Sequence, residues 1–412
     1  HLTEYRGEYS AWSPETLELL TKELRKAHPQ EGSFAGLRVL KKETPAATVA
    51  GWVARMLNNA DPISWKTLVD VGSYAHEGKT LGTGDYSIKN LWDYAELGMN
   101  KYVLTNPSLK SFIERGDLRK SVQILSGVYQ LLPTQTTRTT EQNSFQQFST
   151  PPALALMVNH LAEITPRDVV LEPSAGTGGL AAFAKLLGAK DVLVNELSDD
   201  RLAMLKTLFP NATQEDAAHI DNILGARGVQ PTVVVMNPPF SSSATTNQKD
   251  TMVGANHIEA ALRLLAPGGR LVAITGEGMA MDKAKFRDWW NRIKDEYNVQ
   301  MNVALSSREY AKYGTTFDNQ LLVIDKTGPT TGRVFTNNFA KVGNYASLIP
   351  LVDEVSKRAE PGISTQPRPA ETGGRTEQAV SEPDGKGTPS EQVYRGDGLL
   401  GRPDTAKAGG ER

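Results

Sequence analysis

Residues 169–180 read Val169-Val170-Leu171-Glu172-Pro173-Ser174-Ala175-Gly176-Thr177-Gly178-Gly179-Leu180. An apolar run enters a glycine-rich turn and leaves it as a helical pattern. Glycine supplies backbone angles closed to other residues and lets the chain approach a ligand closely. Gly-x-Gly alone also fits a plain strand-to-helix turn, so its surroundings decide.

Outward from this turn, strand-like runs alternate with helix-like ones. The strands are expected at Asp168–Leu171, Asp191–Asn195, Thr232–Met236, Arg270–Thr275, Val299–Leu305 and Gln320–Ile324. Helices are expected at Leu180–Leu187, Asp199–Leu208, His257–Leu265 and Lys283–Ile293. Such alternation predicts an α/β domain with a mainly parallel sheet covered on both faces. Ligands in these sheets sit at the carboxyl ends of the strands.

Three acidic or amide positions fall at those ends. Glu196 follows the second strand about 20 residues past the glycines, where an acid binds ribose hydroxyls; it also reads as an ordinary surface Glu. Asp216 follows a short segment where a further strand is expected to end. It suits an acceptor for an adenine amino group or the N-cap of a short helix. Val233-Val234-Val235-Met236 runs into Asn237-Pro238-Pro239-Phe240. The prolines end sheet pairing and stiffen the corner. Asn237 then offers a donor and an acceptor to the cleft, and Phe240 a face for stacking a base.

This combination resembles the class I S-adenosylmethionine-dependent methyltransferases. More narrowly it resembles the adenine-N6 enzymes marked by [Asn/Asp]-Pro-Pro-[Phe/Tyr]. The resemblance covers about residues 145–326. It implies a Rossmann-like fold with a mixed, mostly parallel, seven-stranded sheet. It also implies S-adenosylmethionine as cofactor, bound by Glu172, Pro173, Ser174, Ala175, Gly176, Thr177, Gly178, Glu196, Asp216 and Asn237. Phe148 and Thr150, in Phe148-Ser149-Thr150-Pro151-Pro152, match the segment that packs on the methionine end. Asn237, Pro238, Pro239 and Phe240 are the implied catalytic set, with a flipped-out adenine of DNA as target. Tyr313 and Phe317 are candidates for a second wall on that base, core packing being an equal alternative.

Tyr310–Asp325 and Gly82–Asn100 are similar to the methylase-like domain of large phage and plasmid antirestriction proteins of the DarB kind. That likeness implies a following strawberry-notch-type helicase domain as partner. It further implies a place in the bacterial host cytoplasm or in association with virions. RNA, a protein glutamine, or a non-catalytic DNA-binding module are the alternatives to a DNA methylase.

The rest of the 412 residues bounds these readings. There is no cysteine, which excludes a disulfide scaffold, a thiol nucleophile and Cys-ligated metals. No paired His spacing suggests another metal site, so none is expected. Lys and Arg number 45 against 47 Asp and Glu, a net charge of -2. Any nucleic-acid contact must therefore be local, with Lys41-Lys42, Lys110, Arg115 and Arg119-Lys120 as basic candidates. No run reaches the roughly 18 apolar residues of a membrane span, and residues 1–5 lack the features of a signal peptide. Hydrophobic residues make up 39%, and the shortfall concentrates in a Pro/Gly-rich stretch at 357–412, expected to be a disordered tail or linker. The expected division is a helical region at 1–133, a connector at 134–150, a methyltransferase domain at 151–350 and that tail.

Overall fold

The computed structural model describes residues 43–82, 84, 86–135, 149–240, 252–313, 318–338, 340–355 and 357–358. All belong to one compact unit spanning residues 1–363; a second unit, 364–412, lies outside the described residues. The basic pair Lys41-Lys42, most of the connector, Phe148, Phe317 and the tail after Arg358 also lie outside them, as does the side chain of Tyr313.

The N-terminal helices begin where a side chain can satisfy an orphan amide. Helix α1 (Pro45–Asn58) is capped by Thr44, and α2 (Trp65–Ala75) by Ser64. Helix α3 (Ile88–Thr105) opens with a reciprocal capping box between Ser87 and Asn90. Asn106 closes α3 and its side chain accepts from Leu109 N at 2.7 Å, starting α4 (Pro107–Glu114) with Pro at the first turn. Asp117 caps α5 (Leu118–Gln130), and α6 (Pro152–Leu161) starts on its own proline.

From there the chain alternates: β1 (Val169–Glu172), α7 (Gly179–Leu186), β2 (Asp191–Val194), α8 (Asp199–Leu205), α9 (Ile220–Ala226), β3 (Val233–Met236), α10 (Val253–Leu264), β4 (Arg270–Gly276), α11 (Arg287–Glu296), β5 (Asn298–Leu305) and β6 (Asn319–Asp325). The sheet order is β2-β1-β3-β4-β6-β5. The first three pairings are parallel, and β6 runs antiparallel to both of its neighbours. Strand order reverses between β1 and β3, so their carboxyl ends flank the crevice where such sheets bind ligands.

Six strands are described rather than seven. The strand expected before Asp216 shrinks to one bridge, Asn195 to Thr213. The Asn195 side chain takes over its role: Nδ2 donates to the carbonyls of Pro173 (2.9 Å) and Glu215 (2.8 Å), and Oδ1 accepts from Glu215 N at 2.8 Å. One amide thus ties together the ends of β1, β2 and the third segment, where a ladder would need several residues.

Alternate residues of the strands feed two cores. Val170, Val233, Val235, Val272, Ile274 and Val323 face a cluster that also contains Val49, Leu97, Tyr102, Leu125 and Leu154. Leu171, Val234, Met236, Leu271 and Ala273 face Ile258, Leu262, Trp289 and Trp290 on the other side. The N-terminal helices therefore cover one face of the sheet and share its core. Among the described residues no helix is long and apolar enough to cross a membrane.

Candidate functional site

The glycine turn connects β1 to α7. Gly176 and Gly178 have φ of 57° and 89°, in the left-handed region. A Cβ on Gly178 would stand 2.9 Å from Leu205 Cδ1 and 3.0 Å from the Phe209 ring. Backbone conformation and packing therefore both require glycine there.

Glu172, buried at the end of β1, accepts from Ala181 N at 2.7 Å. Burial pushes its carboxyl well above the usual carboxylate range, although the amides of Ala181 and Leu180 pull the other way and Glu196 adds to the rise. Its side-chain bonds are to the first turn of α7, so it fixes that helix against the end of β1. Glu196 accepts from Gly176 N at 2.7 Å and from Ser198 N at 2.8 Å. A carboxylate offers about four lone-pair sites, which leaves it capacity for ribose hydroxyls. Pro173 O binds Asn195, Ala175 N donates to Asn195 O at 2.8 Å, and Gly178 N donates to Ala175 O at 2.8 Å. Ser174 is half-buried at the lip of the turn.

Asp216 lies past the third segment. Its Oδ1 accepts from Ala218 N at 2.9 Å, which caps a short 3-10 turn at Ala217–His219. It remains half-buried, next to His257. That histidine is buried with no partner for Nδ1 among the described residues. Burial lowers its pKa to about 4, against the pull of Asp216 and with that of His219.

The Asn237-Pro238-Pro239-Phe240 corner leaves β3 beside this turn. Asn237 is half-buried and its Nδ2 donates to Thr150 Oγ1 at 3.0 Å, across 87 residues. The Phe240 ring packs on the end of β4, where a Cβ on Gly276 would approach it to 3.3 Å. Gly254, in the first turn of α10, lies against Pro239 O in the same way at 3.2 Å. Thr150 thus meets Asn237 at the end of β3, and Glu196 meets the glycine turn at the end of the neighbouring β1. Among the described residues no cluster of His, Asp or Glu is arranged to hold a metal ion.

Helix α3 adds residues that composition and apolar spacing did not single out. Asn100 Nδ2 donates to Thr177 O at 2.9 Å and to Thr177 Oγ1 at 3.2 Å. Asp93 Oδ1 accepts from Arg201 Nη2 at 3.0 Å, and Asp93 Oδ2 from Lys89 Nζ at 3.3 Å. Ser149, one residue before Thr150, donates to Glu96 Oε2. The available signal was the spacing of Lys89, Asp93, Glu96 and Asn100 at four, three and four residues, a polar stripe along one helix face.

The model of the methyltransferase small-domain family matches residues 136–297. The methylase subunit of the StySPI type I restriction enzyme of Salmonella potsdam is 27% identical over 218 residues, 45% of this chain and 41% of that protein. The restriction enzyme and methyltransferase RM.BcgI of Heyndrickxia coagulans is 26% identical over 227 residues, 47% of this chain and 34% of that one. The chain thus spans less than half the length of these relatives. Among solved structures, the EcoKI M protein aligns over 84% of this chain and 73% of its own, at TM-score 0.41 and 17% identity. A class I methyltransferase from Listeria monocytogenes aligns over 75% and 96%, at TM-score 0.44 and 17% identity. The parallel sheet with its inserted antiparallel β6, the glycine turn and the match to the methyltransferase small domain make this a class I methyltransferase fold, and its cofactor is S-adenosylmethionine.

Proposed function

We propose that the chain methylates the exocyclic amino group of adenine in DNA, with weak sequence specificity. The observation that carries this reading is Asn237, held by Thr150 at the carboxyl end of β3 and beside the glycine turn. The relatives named above are methylase subunits or restriction enzymes with methyltransferase activity, which favours DNA over RNA or a protein glutamine. In this reading Glu172–Gly178, Glu196, Asp216 and Thr150 form the cofactor site, and Asn237–Phe240 the catalytic corner. Phe148 belongs to the same site by resemblance.

An aromatic amine is a weak nucleophile because its lone pair is delocalised into the ring. The cofactor supplies an electrophilic methyl on a sulfonium. Asn237 Oδ1 and the Pro238 carbonyl accept the two amine hydrogens and favour a pyramidal nitrogen with its lone pair directed in line. The hydrogen released from nitrogen passes to solvent. Phe240 stacks on the extruded base. The chain's contribution is positioning and stabilisation of developing positive charge. A setting in phage antirestriction, a helicase domain beyond the tail, and the division into a helical region, a methyltransferase domain and a linker belong to the same proposal.

The test is transfer of tritiated methyl to unmethylated DNA, with RNA and protein as parallel acceptors and Asn237→Ala as control. Label in adenine-N6 of DNA, lost in the variant, is the expected result. Transfer to RNA or protein alone sinks the DNA reading. Transfer unaffected by Asn237→Ala sinks the mechanism.

A further inference from the structure

Thr150 holds Asn237, the side chain assigned above to the target amine. Downstream of Thr150 the chain is stiff: Pro151 disfavours helical backbone at Thr150 itself, and Pro152 starts α6 on a fixed angle. Ser149 is its neighbour on the other side. The Ser149 hydroxyl donates to Glu96 Oε2 across 53 residues, which ties this end of the segment to α3. Glu96 is buried, and the cations beside it, Lys89 and Arg201, are hydrogen-bonded to Asp93. A buried carboxyl that gave up the Ser149 hydroxyl would lose a hydrogen bond that water cannot readily replace, so this contact is costly to break. The acceptor is itself fixed. About one helical turn before Glu96, Asp93 accepts from Arg201 of α8 at 3.0 Å, and about one turn after it, Asn100 donates to Thr177 O at 2.9 Å.

Thr150 decides which way the Asn237 amide faces. That amide is planar, with donors on one arm and an acceptor on the other. Its Nδ2 donates to Thr150 Oγ1 at 3.0 Å, which commits the donor arm to the protein and presents Oδ1 as the arm for an amine hydrogen. A half-turn of the amide would set N–H against N–H. We propose that Glu96 is a positioning residue for methyl transfer: through Ser149 it fixes Thr150, and through Thr150 the orientation of the Asn237 amide. The proposal rests on the catalytic corner proposed above. It gives α3 two braces about one turn apart, Asn100 on the glycine turn and Glu96 on the segment that holds Asn237. Neither Glu96 nor Ser149 touches cofactor or base in this account, so the relay acts on the rate of the transfer step and not on ligand affinity.

The test cuts the relay at Ser149 in the full chain, which leaves the charged cluster around Glu96 in place. Ser149→Ala is expected to lower kcat for DNA methylation by about tenfold to a hundredfold, with the Kd for S-adenosylhomocysteine and the KM for DNA changed by about twofold or less. Ser149→Thr keeps the hydroxyl and is expected to recover most of the rate. Glu96→Met removes the acceptor at similar length. Combined with Ser149→Ala it should fall no further than the more damaged single variant, because both cut the same link. A second measurement needs no turnover. In nitrogen–proton correlation spectra the Asn237 side-chain amide, identified by its loss in Asn237→Ala, is expected to shift in Ser149→Ala. The side-chain amide of Asn195, held by the carbonyls of Pro173 and Glu215, should stay in place. Wild-type kcat in Ser149→Ala, an unmoved Asn237 signal, or equal losses of kcat and S-adenosylhomocysteine affinity overturn the inference. Wild-type protein that binds S-adenosylhomocysteine and methylates no DNA overturns the function proposed above, and the Asn237 signal then still decides the relay.

Discussion

Asn100 on α3 reaches 77 residues along the chain to hold Thr177, its Nδ2 donating to both the carbonyl and the hydroxyl of that residue. A helix outside the alternating α/β pattern thereby sets one wall of the glycine turn. Both groups are buried, so removing the donor leaves Thr177 O unsatisfied. Asn100→Ala is expected to lower stability by about 1–3 kcal/mol. Its affinity for S-adenosylhomocysteine should fall about fivefold or more, since a loosened turn must be re-ordered on binding. Calorimetry alongside denaturant unfolding measures both. Unchanged affinity would show that the turn stands without α3.

Gly178 tests the turn from the opposite side. Its φ of 89° lies in the left-handed region, and its Cα faces Leu205 and Phe209 at distances that admit no methyl group. Gly178→Ala combines backbone strain of about 1–2 kcal/mol with overpacking of about 1–3 kcal/mol. Gly188→Ala provides a matched comparison: φ is 83°, but open space surrounds the position. It should show the backbone cost alone. Thermal unfolding of the pair separates the two effects, and equal destabilisation would mean that Leu205 and Phe209 give way.

These two positions show why parts of the site were readable in sequence and others were not. The glycine turn and the Asn-Pro-Pro-Phe corner are contiguous, and each residue's constraint is local, so they stand out in the chain. Strands β3 and β4 were readable because they are buried on both faces and run apolar through Val233–Met236 and Leu271–Ile274. The strand before Asp216 was expected and is missing as a strand because the Asn195 side chain replaces its ladder, an event no periodicity records. Helices α4 and α5 fall inside the helical region expected at 1–133, and Asn106-Pro107 and Asp117 mark where each begins. The stripe on α3 was hidden by the helix's own apolar face. Asp93 meets Arg201 across 108 residues, a pairing that spacing cannot reveal.

Arg270 and Asp325 stand directly opposite each other on β4 and β6 and are almost wholly buried. The guanidinium donates to both carboxylate oxygens, at 2.7 and 2.9 Å, and Nη1 donates to Leu161 O at 3.0 Å. Without Asp325 the buried guanidinium keeps only the more exposed and more distant Glu163, at 3.4 Å from Nη1. Asp325→Ala is expected to destabilise by about 3–5 kcal/mol. The double variant Arg270→Met, Asp325→Leu removes both charges with similar volume and should recover most of that loss. Chemical denaturation of the three proteins decides it. A double variant no better than the single would show that the bond to Leu161 matters more than the ion pair.

His257 gives the fold a pH dependence whose sign is fixed by burial. Its folded pKa is lowered to about 4 from the ordinary 6.5, so the folded state binds its proton less readily than the unfolded chain. Above about pH 6.5 both states are neutral at this residue and it adds no slope. Between 6.5 and 4 the unfolded chain takes up a proton that the folded one refuses, and stability falls as pH falls. Below about 4 both are protonated and the loss levels off. With about 1.4 kcal/mol per unit, the full effect is about 3.5 kcal/mol, of which about 3 kcal/mol is reached by pH 4. His257→Leu removes the titrating group while keeping the site filled. Other carboxylates also titrate in this range, so the informative quantity is the difference between wild type and variant. Wild-type stability should drop by about 3 kcal/mol more than that of the variant from pH 7 to pH 4, measured by urea unfolding at each pH. Parallel curves would mean that His257 finds a partner in the folded chain that keeps its protonated form as favourable as in water.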